Sequence, residues 1–269
     1  MPYFDLNPTI HLYYEDQGQG QPILFIHGLW GNSRFSFRKQ LPYFSQRYRT
    51  IALDLRGHGR SSHVHSGHTV ATYARDVRAL IDGLGITDVV LVGHSMGAFV
   101  VWDYIKQFGT EGVKATVIID QSASDFKWLD WPIGAFDFST LCQLMATVQT
   151  DRAAVVRDLL TLVFKNQPTE EDARFLTEDA LRMPESIAGM ILFDESVQDY
   201  RPVLSGVTVP TLLCFGRDEK LVPIAAGEHL QQSLPNARLV IFENSGHCPT
   251  LEEPVRFNQE VDQFIQSLG

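Results

Sequence analysis

Cysteine is scarce in this chain, and long apolar runs are missing. The 269 residues include three cysteines, Cys142, Cys214 and Cys248, which are widely spaced and form no Cys-x-x-Cys pair. Because their number is odd and their spacing irregular, neither a disulfide framework nor a zinc site is expected. No apolar run approaches the roughly 20 residues that a membrane-spanning helix needs. The sequence therefore predicts no membrane partner.

Basic residues are outnumbered by acidic ones. The chain has 22 Lys and Arg against 32 Asp and Glu, which gives a net charge of -10. Nucleic acid and anionic membrane surfaces repel such a chain, and no basic cluster offsets the repulsion. The first residues, Met1-Pro2-Tyr3, begin no basic segment followed by an apolar one, so no signal peptide is predicted. We expect a soluble, cytoplasmic protein that acts on a small molecule, and its oligomeric state is not indicated.

A short motif in the middle of the chain carries the strongest functional signal. The pentapeptide Gly93-His94-Ser95-Met96-Gly97 follows the apolar run at residues 89–92 and precedes a helical pattern. This order predicts a nucleophile elbow, a strand-to-helix turn that holds Ser95 in a strained conformation. The glycines lack Cβ atoms, so the backbones of the strand and the helix can pass closely there. Because such strings also occur by chance in turns, the rest of the chain must supply the context.

Two further residues follow Ser95 in the order that this elbow requires. Asp218 comes just after the apolar run at residues 210–216, and His247 lies in the loop after the run at residues 237–242. In an open parallel sheet, residues beyond the carboxyl ends of the strands meet in one crevice. Asp218 is the favoured acid because it has the shortest reach to that crevice. Glu219, its neighbour, and Asp120, at the end of the preceding strand pattern, remain alternatives.

These residue types suit nucleophilic catalysis. A serine hydroxyl is a poor nucleophile until a neutral imidazole takes its proton, which is the role predicted for His247. A buried carboxylate, assigned to Asp218, fixes the imidazole tautomer and stabilises the imidazolium. Attack produces an oxyanion, and the backbone N–H groups of Leu29 and Met96 are the predicted donors to it.

Together the motifs resemble the α/β-hydrolase superfamily over nearly the whole chain, in particular its small serine esterases and non-haem haloperoxidase-like members. This resemblance implies Ser95, Asp218 and His247 as a catalytic triad, with Leu29 and Met96 as oxyanion donors. It implies an α/β fold with a mostly parallel eight-stranded sheet and helices on both faces. The motifs are His27-Gly28, the run Asp-Leu-Arg-Gly-His-Gly-Arg-Ser-Ser at residues 54–62, the elbow, Phe215-Gly216-Arg217-Asp218 and Ser245-Gly246-His247.

The chemistry and the resemblance predict a carboxylesterase-type serine hydrolase (EC 3.1.1 class) that cleaves small carboxylic esters through an acyl-enzyme on Ser95, with no cofactor. Relatives that use alkyl-enzyme esters, such as epoxide hydrolases and haloalkane dehalogenases, have aspartate where this chain has Ser95. Peracid formation with hydrogen peroxide as acceptor and cleavage of lactones or carbon–carbon diketones remain alternatives. Haloperoxidase-like members commonly have an aromatic residue where this chain has Leu29, which counts against perhydrolase activity. A small-ligand receptor with a retained triad is the alternative outside enzymes.

Strand and helix patterns alternate along most of the chain. They predict one core domain, residues 1–124 and 209–269, with a first hairpin over residues 1–16 and helices over residues 69–84 and 254–268. The alternation breaks at residues 125–208, which predicts an inserted helical cap over the crevice. Aromatic side chains in or near this cap either line the substrate pocket or join cap to core. These candidate pocket residues are Trp30, Phe126, Trp128, Trp131 and Phe136.

Two further features predict no separate site. Cys248 lies beside His247, but neighbours in a loop point in different directions, so its thiol is expected to support the site rather than to attack substrate. His63, His65 and His68 alternate in a polar loop with no cysteine or carboxylate near enough to complete a ligand set. No metal site is therefore predicted.

Overall fold

The computed structural model describes residues 3–269, and Met1 and Pro2 of the predicted first hairpin lie outside the described residues. Over this range eight strands form one sheet in the order β1-β2-β4-β3-β5-β6-β7-β8. The first two pairings, β1 with β2 and β2 with β4, are antiparallel, and the others are parallel. The predicted mostly parallel eight-stranded sheet is confirmed. The strands are β1 (Tyr3–Asn7), β2 (Ile10–Gln17), β3 (Pro22–Ile26), β4 (Arg49–Leu53), β5 (Val89–His94), β6 (Val113–Ile119), β7 (Thr211–Gly216) and β8 (Ala237–Phe242).

The central strands are continuous apolar runs because helices cover both faces of the sheet. Every residue of β5 and of β7 is buried. One face packs an aromatic group that includes Phe25, Phe37 and Phe44, and the other packs Phe99 and Trp102. Since β3 and β5 to β8 all run in the same direction, the segments that follow them emerge at one edge of the sheet.

Helices connect and cover the strands. The helix predicted over residues 69–84 is α3, which begins after Thr69, whose side chain accepts a hydrogen bond from the Thr72 N–H. The helix predicted over residues 254–268 is α11. No helix among residues 3–269 has the length and apolar character to cross a membrane. The helices are α1 (Ser33–Phe37), α2 (Leu41–Phe44), α3 (Val70–Gly83), α4 (Met96–Phe108), α5 (Phe138–Thr150), α6 (Arg152–Val163), α7 (Glu170–Arg182), α8 (Glu185–Ser196), α9 (Ile224–Ser233), α10 (Pro249–Glu252) and α11 (Pro254–Ser267).

The segment between β6 and β7 contributes no strand to the sheet. It contains α5 to α8 and a 3-10 helix at Arg201–Gly206, which agrees with the succession of helical patterns at residues 125–208. Before α5, the chain forms an irregular loop with single bridges between Phe126 and Phe136 and between Trp128 and Trp131. The helices of this segment lie beside the carboxyl edge of the sheet, where they supply much of the wall of a cavity described below.

Candidate active site

Ser95 occupies the tight turn between β5 and α4. Its backbone has φ 53° and ψ -126°, a strained conformation for a residue with a Cβ atom. A Cβ on Gly97 would lie 2.2 Å from the carbonyl oxygen of Ile26, and one on Gly93 would lie 2.5 Å from the carbonyl oxygen of Gly97. Only glycine fits these two positions without backbone movement. The local geometry is that of the predicted elbow.

The loop after β3 faces this turn. A Cβ on Gly28 would lie 3.0 Å from the Ser95 Cβ, so the loop backbone passes close to the serine. Leu29 lines the same cavity as Ser95, and no acceptor for its N–H is found among residues 3–269. Met96 begins α4, so its N–H belongs to the first turn, whose amides have no partner within the helix. Both predicted oxyanion donors are therefore beside Ser95.

A buried histidine fixes the shape of this loop. His27 is fully buried, and its Nδ1 lies 2.8 Å from the Gly28 carbonyl oxygen, to which it donates. Its Nε2 accepts from the Leu55 N–H at 3.0 Å. Burial lowers the pKa of His27, against an opposing attraction from Asp54. The neutral ring thus ties the loop after β3 to the segment after β4.

The Asp54 carboxylate also ties the loop after β3 to the segment after β4. It is 2% exposed, and its Oδ1 accepts from the Ser33 N–H at 2.9 Å and from the Ser33 hydroxyl at 2.6 Å. Its Oδ2 accepts from the Arg60 N–H at 3.0 Å. These bonds explain the resemblance motif at residues 54–62, because they hold the loop that carries Leu29.

His247 lies in the loop between β8 and α10, and it is 4% exposed. The Nε2 of His94 donates to the His247 carbonyl oxygen at 2.9 Å. Burial lowers the pKa of His94 to about 3, so this ring is a neutral structural donor. Ser95 and His247 line one cavity, and the Ser95 hydroxyl has no hydrogen bond within the described part of the chain. It is free to meet a substrate.

Glu219, and not Asp218, lies against the histidine ring. The Nδ1 of His247 is 2.7 Å from Oε2 of Glu219, whose side chain is fully buried. The Asp218 side chain is 45% exposed, and its Oδ2 pairs with Lys165 Nζ at 2.7 Å. The expectation that Asp218 orients His247 is therefore wrong. Glu219, which the sequence left as an alternative, takes that position.

The backbone after β7 explains why Glu219, and not Asp218, faces His247. After β7, the Arg217 N–H donates to the Phe242 carbonyl at 2.9 Å and the Asp218 N–H donates to the Ser245 carbonyl at 3.0 Å. Arg217 and Asp218 form a turn after β7, and these two bonds fix that turn against the segment that leads to His247. Asp218 points outward and Glu219 inward. The longer glutamate side chain then reaches the ring.

The environment of Glu219 keeps it ionised. Burial raises its pKa, but attraction to His247, the hydrogen bond from that ring and the N–H groups of Leu221 and Val222 outweigh burial and lower the pKa. The Val222 N–H donates to Glu219 Oε1 at 3.2 Å, and the Leu221 N–H donates to the same atom. One carboxylate oxygen is thus held by the backbone and the other by His247.

A second carboxyl group, that of Asp120, lies behind Glu219. Asp120 is fully buried, and its Oδ2 accepts from the Gly216 N–H at 2.8 Å. Burial raises the pKa of Asp120 well above its usual range, and the charge of Glu219 raises it further. Ligand atoms of Asp120, Glu219 and His247 lie within 4.8 Å of one another, the one such grouping among the described residues. Burial disfavours the ionised form of Asp120 that a metal ion would need, and the hydrogen bond between Glu219 and His247 accounts for the other two members of the grouping.

Ser95 and His247 open onto a cavity of about 370 Å³, a size typical of small-molecule sites. Two of the predicted pocket residues, Trp30 and Phe136, line it. Trp30 has φ 56°, and its Nε1 donates to the Ala188 carbonyl at 3.2 Å. Most of the wall is apolar, and much of it comes from the helices between β6 and β7, including Leu144, Leu159, Leu162, Val163, Leu176 and Leu192.

The other three aromatic candidates are not among the residues that line this cavity. Trp128 and Trp131 donate their Nε1–H groups at 2.9 Å to the hydroxyl and the carbonyl oxygen of Ser124, respectively. Phe126 packs on Trp128 with ring centroids 4.9 Å apart. The prediction that these three side chains contact substrate is not supported. They pack within the loop that follows β6.

Three acidic residues in the cavity wall were not predicted from the sequence, and two of them, Asp125 and Glu195, are buried. The signal for Glu195 is its spacing. It follows Ile187 and Ile191 at intervals of four on α8, and both isoleucines are buried. A glutamate on the buried face of a helix calls for a partner or a function.

The three cysteines differ in exposure. All three are free, with Cys142 exposed and Cys214 and Cys248 buried. Cys248 lines the cavity beside His247, and burial raises the pKa of its thiol well above the usual range. A thiol that stays protonated is a weak nucleophile. The geometry therefore favours Ser95 over Cys248 as the attacking group.

The chain is similar to proteins of one known family. The model of a family described as "Alpha/beta hydrolase family" matches residues 23–260. A non-heme haloperoxidase from Rhodococcus erythropolis is 32% identical, over 99% of this chain and 100% of the relative. A bromoperoxidase from Bacillus anthracis superposes with a TM-score of 0.90 at 28% identity, over 96% of each chain. An esterase from Rhodococcus sp. ECU1013 superposes with a TM-score of 0.86 at 26% identity, over 100% of each chain. The chain belongs to the alpha/beta hydrolase family.

Proposed function

We propose that this protein is a serine esterase that cleaves small carboxylic esters through an acyl-enzyme on Ser95. One observation carries the proposal. A strained serine at a strand-to-helix turn shares an apolar cavity with His247, and Glu219 holds the far nitrogen of that ring at 2.7 Å. Membership of the family supports a hydrolase. The carboxylic ester as substrate is part of this proposal.

Acylation follows from these positions. The Ser95 oxygen attacks the ester carbonyl carbon while its proton passes to Nε2 of His247, and the carbonyl π electrons move to the oxygen. The N–H groups of Leu29 and Met96 donate to this oxyanion, each contributing on the order of 3 kcal/mol. When the intermediate collapses, the bond to the alcohol oxygen breaks and His247 gives that oxygen its proton. The alcohol leaves, and the acyl group remains on Ser95.

Deacylation repeats the sequence with water. His247, neutral again, takes a proton from a water molecule as its oxygen attacks the acyl carbon, and it returns this proton to the Ser95 oxygen as the acid departs. Throughout both steps Glu219 fixes the ring so that Nδ1 carries a proton and Nε2 faces the substrate. Its negative charge stabilises the imidazolium that forms in each step.

Peracid formation is the second candidate. Two relatives named above are a haloperoxidase and a bromoperoxidase, and hydrogen peroxide in place of water would convert the same acyl-enzyme into a peracid. The position after the His27-Gly28 pair holds Leu29, which argues for water as the main acceptor. The two activities differ only in the acceptor of the second step.

The test is steady-state hydrolysis of p-nitrophenyl acetate, butyrate and octanoate at neutral pH, with and without hydrogen peroxide. We expect many turnovers by the unmodified protein and none above background by Ser95→Ala, which removes one oxygen. A faster release of acyl product with peroxide would favour the perhydrolase. A single burst without turnover would contradict the proposal and favour a ligand receptor.

A further inference from the structure

One part of the cavity wall is acidic and buried. Asp125, in the loop after β6, and Glu195, on α8, both line the cavity that contains Ser95. They are only 8% and 6% exposed. No lysine or arginine of the described chain lines the same cavity. The wall therefore offers carboxyl oxygens as acceptors, with no lysine or arginine to pair with them.

Glu195 lacks a partner. Its Oε2 is buried and has no hydrogen bond within residues 3–269. Its place on the buried face of α8, after Ile187 and Ile191, would ordinarily hold an apolar side chain. A buried acceptor left without a donor costs about 1 to 3 kcal/mol, and more for a charged group. This cost would be offset by a ligand that brings a donor to Glu195.

Asp125 is only weakly satisfied. Its Oδ1 accepts from the Ser122 hydroxyl at 3.2 Å and its Oδ2 from the Gln121 side-chain amide at 3.3 Å, both longer than the usual hydrogen bond. Burial raises its pKa to about 6. Burial also raises the pKa of Glu195 well above its usual range, with the charges of Asp125 and Asp194 adding to this. Each influence on Glu195 disfavours a negative charge, and a bound cation would reverse that balance.

We infer that Glu195 and Asp125 form a subsite for a protonated amine, so that the preferred substrate is an ester with an apolar chain that carries an ammonium group. An ammonium brings the donor that Glu195 lacks and the positive charge that the cavity wall lacks. A hydroxyl brings only the donor. The remaining wall, with Leu144, Leu159 and Leu192, suits the methylene chain between the ester and the amine. The inference rests on the proposed esterase activity, because it specifies the substrate of that site.

A matched set of esters tests the substrate class. The p-nitrophenyl esters of 6-aminohexanoate, 6-hydroxyhexanoate and heptanoate differ only in the group at the end of one chain: ammonium, hydroxyl or methyl. We expect kcat/KM for the aminohexanoate to exceed both others by about tenfold, as for a hydrogen bond to a charged group. Glu195→Gln should bring the ratio of aminohexanoate to heptanoate close to one. Glu185→Gln removes the same charge from the exposed first turn of α8 and should keep the ratio.

Ligand binding separates this inference from the esterase proposal. Calorimetric titration of the unmodified protein with hexylammonium chloride and with 1-hexanol needs no turnover. We expect hexylammonium to bind about tenfold more tightly than hexanol, and Glu195→Gln or Asp125→Asn to remove the difference. Equal binding of the two, or equal preference for the amino and hydroxy esters, overturns the amine subsite. Loss of all ester turnover with the amine preference retained overturns the esterase proposal alone.

Discussion

Glu219 lies 2.7 Å from the Nδ1 atom of His247, while its neighbour Asp218 is 2.7 Å from Lys165 on the outside of the molecule. Two consecutive acidic residues therefore have opposite surroundings. The buried one accepts hydrogen bonds from the histidine and from the backbone, and the other is a half-exposed ion-pair partner. Which of the two faces the histidine is a matter of backbone direction and not of residue type.

This arrangement gives a paired prediction. Glu219→Gln keeps the size of the side chain but lets the histidine adopt the wrong tautomer, so kcat should fall by about 10³ to 10⁴. Asp218→Asn should change kcat by about twofold or less, because an exposed ion pair contributes little. Hydrolysis of p-nitrophenyl butyrate by the two variants gives both numbers. The opposite ranking would return the role to Asp218.

Asp120 gives a separate prediction. Burial raises the pKa of its carboxyl well above the usual range, which favours the protonated form, and an amide resembles that form. Asp120→Asn retains an acceptor for the Gly216 N–H and a donor on the other atom. We expect kcat/KM to fall by about fivefold or less, the effect of one altered hydrogen bond. A loss as large as that of Glu219→Gln would show that Asp120 acts as an ionised carboxylate.

The elbow glycines give a stability prediction. Gly97→Ala places a methyl group 2.2 Å from the Ile26 carbonyl oxygen, so the backbone must move. The free energy of unfolding should fall by about 3 kcal/mol or more. Gly206→Ala is the control, because a Cβ there meets no atom within 4 Å and should change stability by about 0.5 kcal/mol or less. Urea titrations of both variants make the comparison, and equal stabilities would contradict the tight elbow.

His94 gives a prediction about pH. Its pKa is lowered to about 3 by burial, whereas in the unfolded chain it is about 6.5. Between these values only the unfolded chain binds the proton, so this residue's contribution is complete above about pH 6.5 and is lost as pH falls towards 3. The loss is about 1.4 kcal/mol per pH unit.

The variant His94→Gln separates the contribution of His94 to stability from the contributions of the carboxyl groups. Asp120 and Glu195 have raised pKa values and act in the opposite direction, but they are common to both proteins and cancel in a difference. Urea unfolding at about pH 7, 6 and 5 gives the free energy of unfolding of the unmodified protein and of His94→Gln. The unmodified protein should lose stability relative to the variant as pH decreases. A constant difference across these pH values would mean that His94 titrates normally.

The sequence identified the parts of the site that depend on local patterns. Ser95 and His247 follow strands and belong to short motifs, and the parallel sheet brings the ends of those strands together. Helices α3 and α11 were predicted because their apolar spacing is regular. The hydrophobic pattern alone determines such elements, since the buried face of a helix and of a sheet differ in period.

Other parts depend on contacts that a sequence does not display. The choice between Asp218 and Glu219 depends on the bond from the Asp218 N–H to the Ser245 carbonyl. The aromatic residues of the loop were expected either to line the pocket or to join cap to core, and hydrogen bonds to Ser124 hold Trp128 and Trp131 away from the cavity lining. The bond to Ser245 joins distant parts of the chain, and the bonds to Ser124 depend on the fold of one irregular loop. A pattern of residue types does not specify these contacts.

Direct detection of the acyl-enzyme tests the central claim. The protein is mixed with p-nitrophenyl butyrate, quenched in acid within the first turnovers and digested, and the peptides are measured by mass spectrometry. The account predicts a butyryl group on the peptide that contains Ser95, at the Ser95 oxygen, and none in Ser95→Ala. Steady turnover with no acyl group on Ser95, or with the group on Cys248, would contradict it.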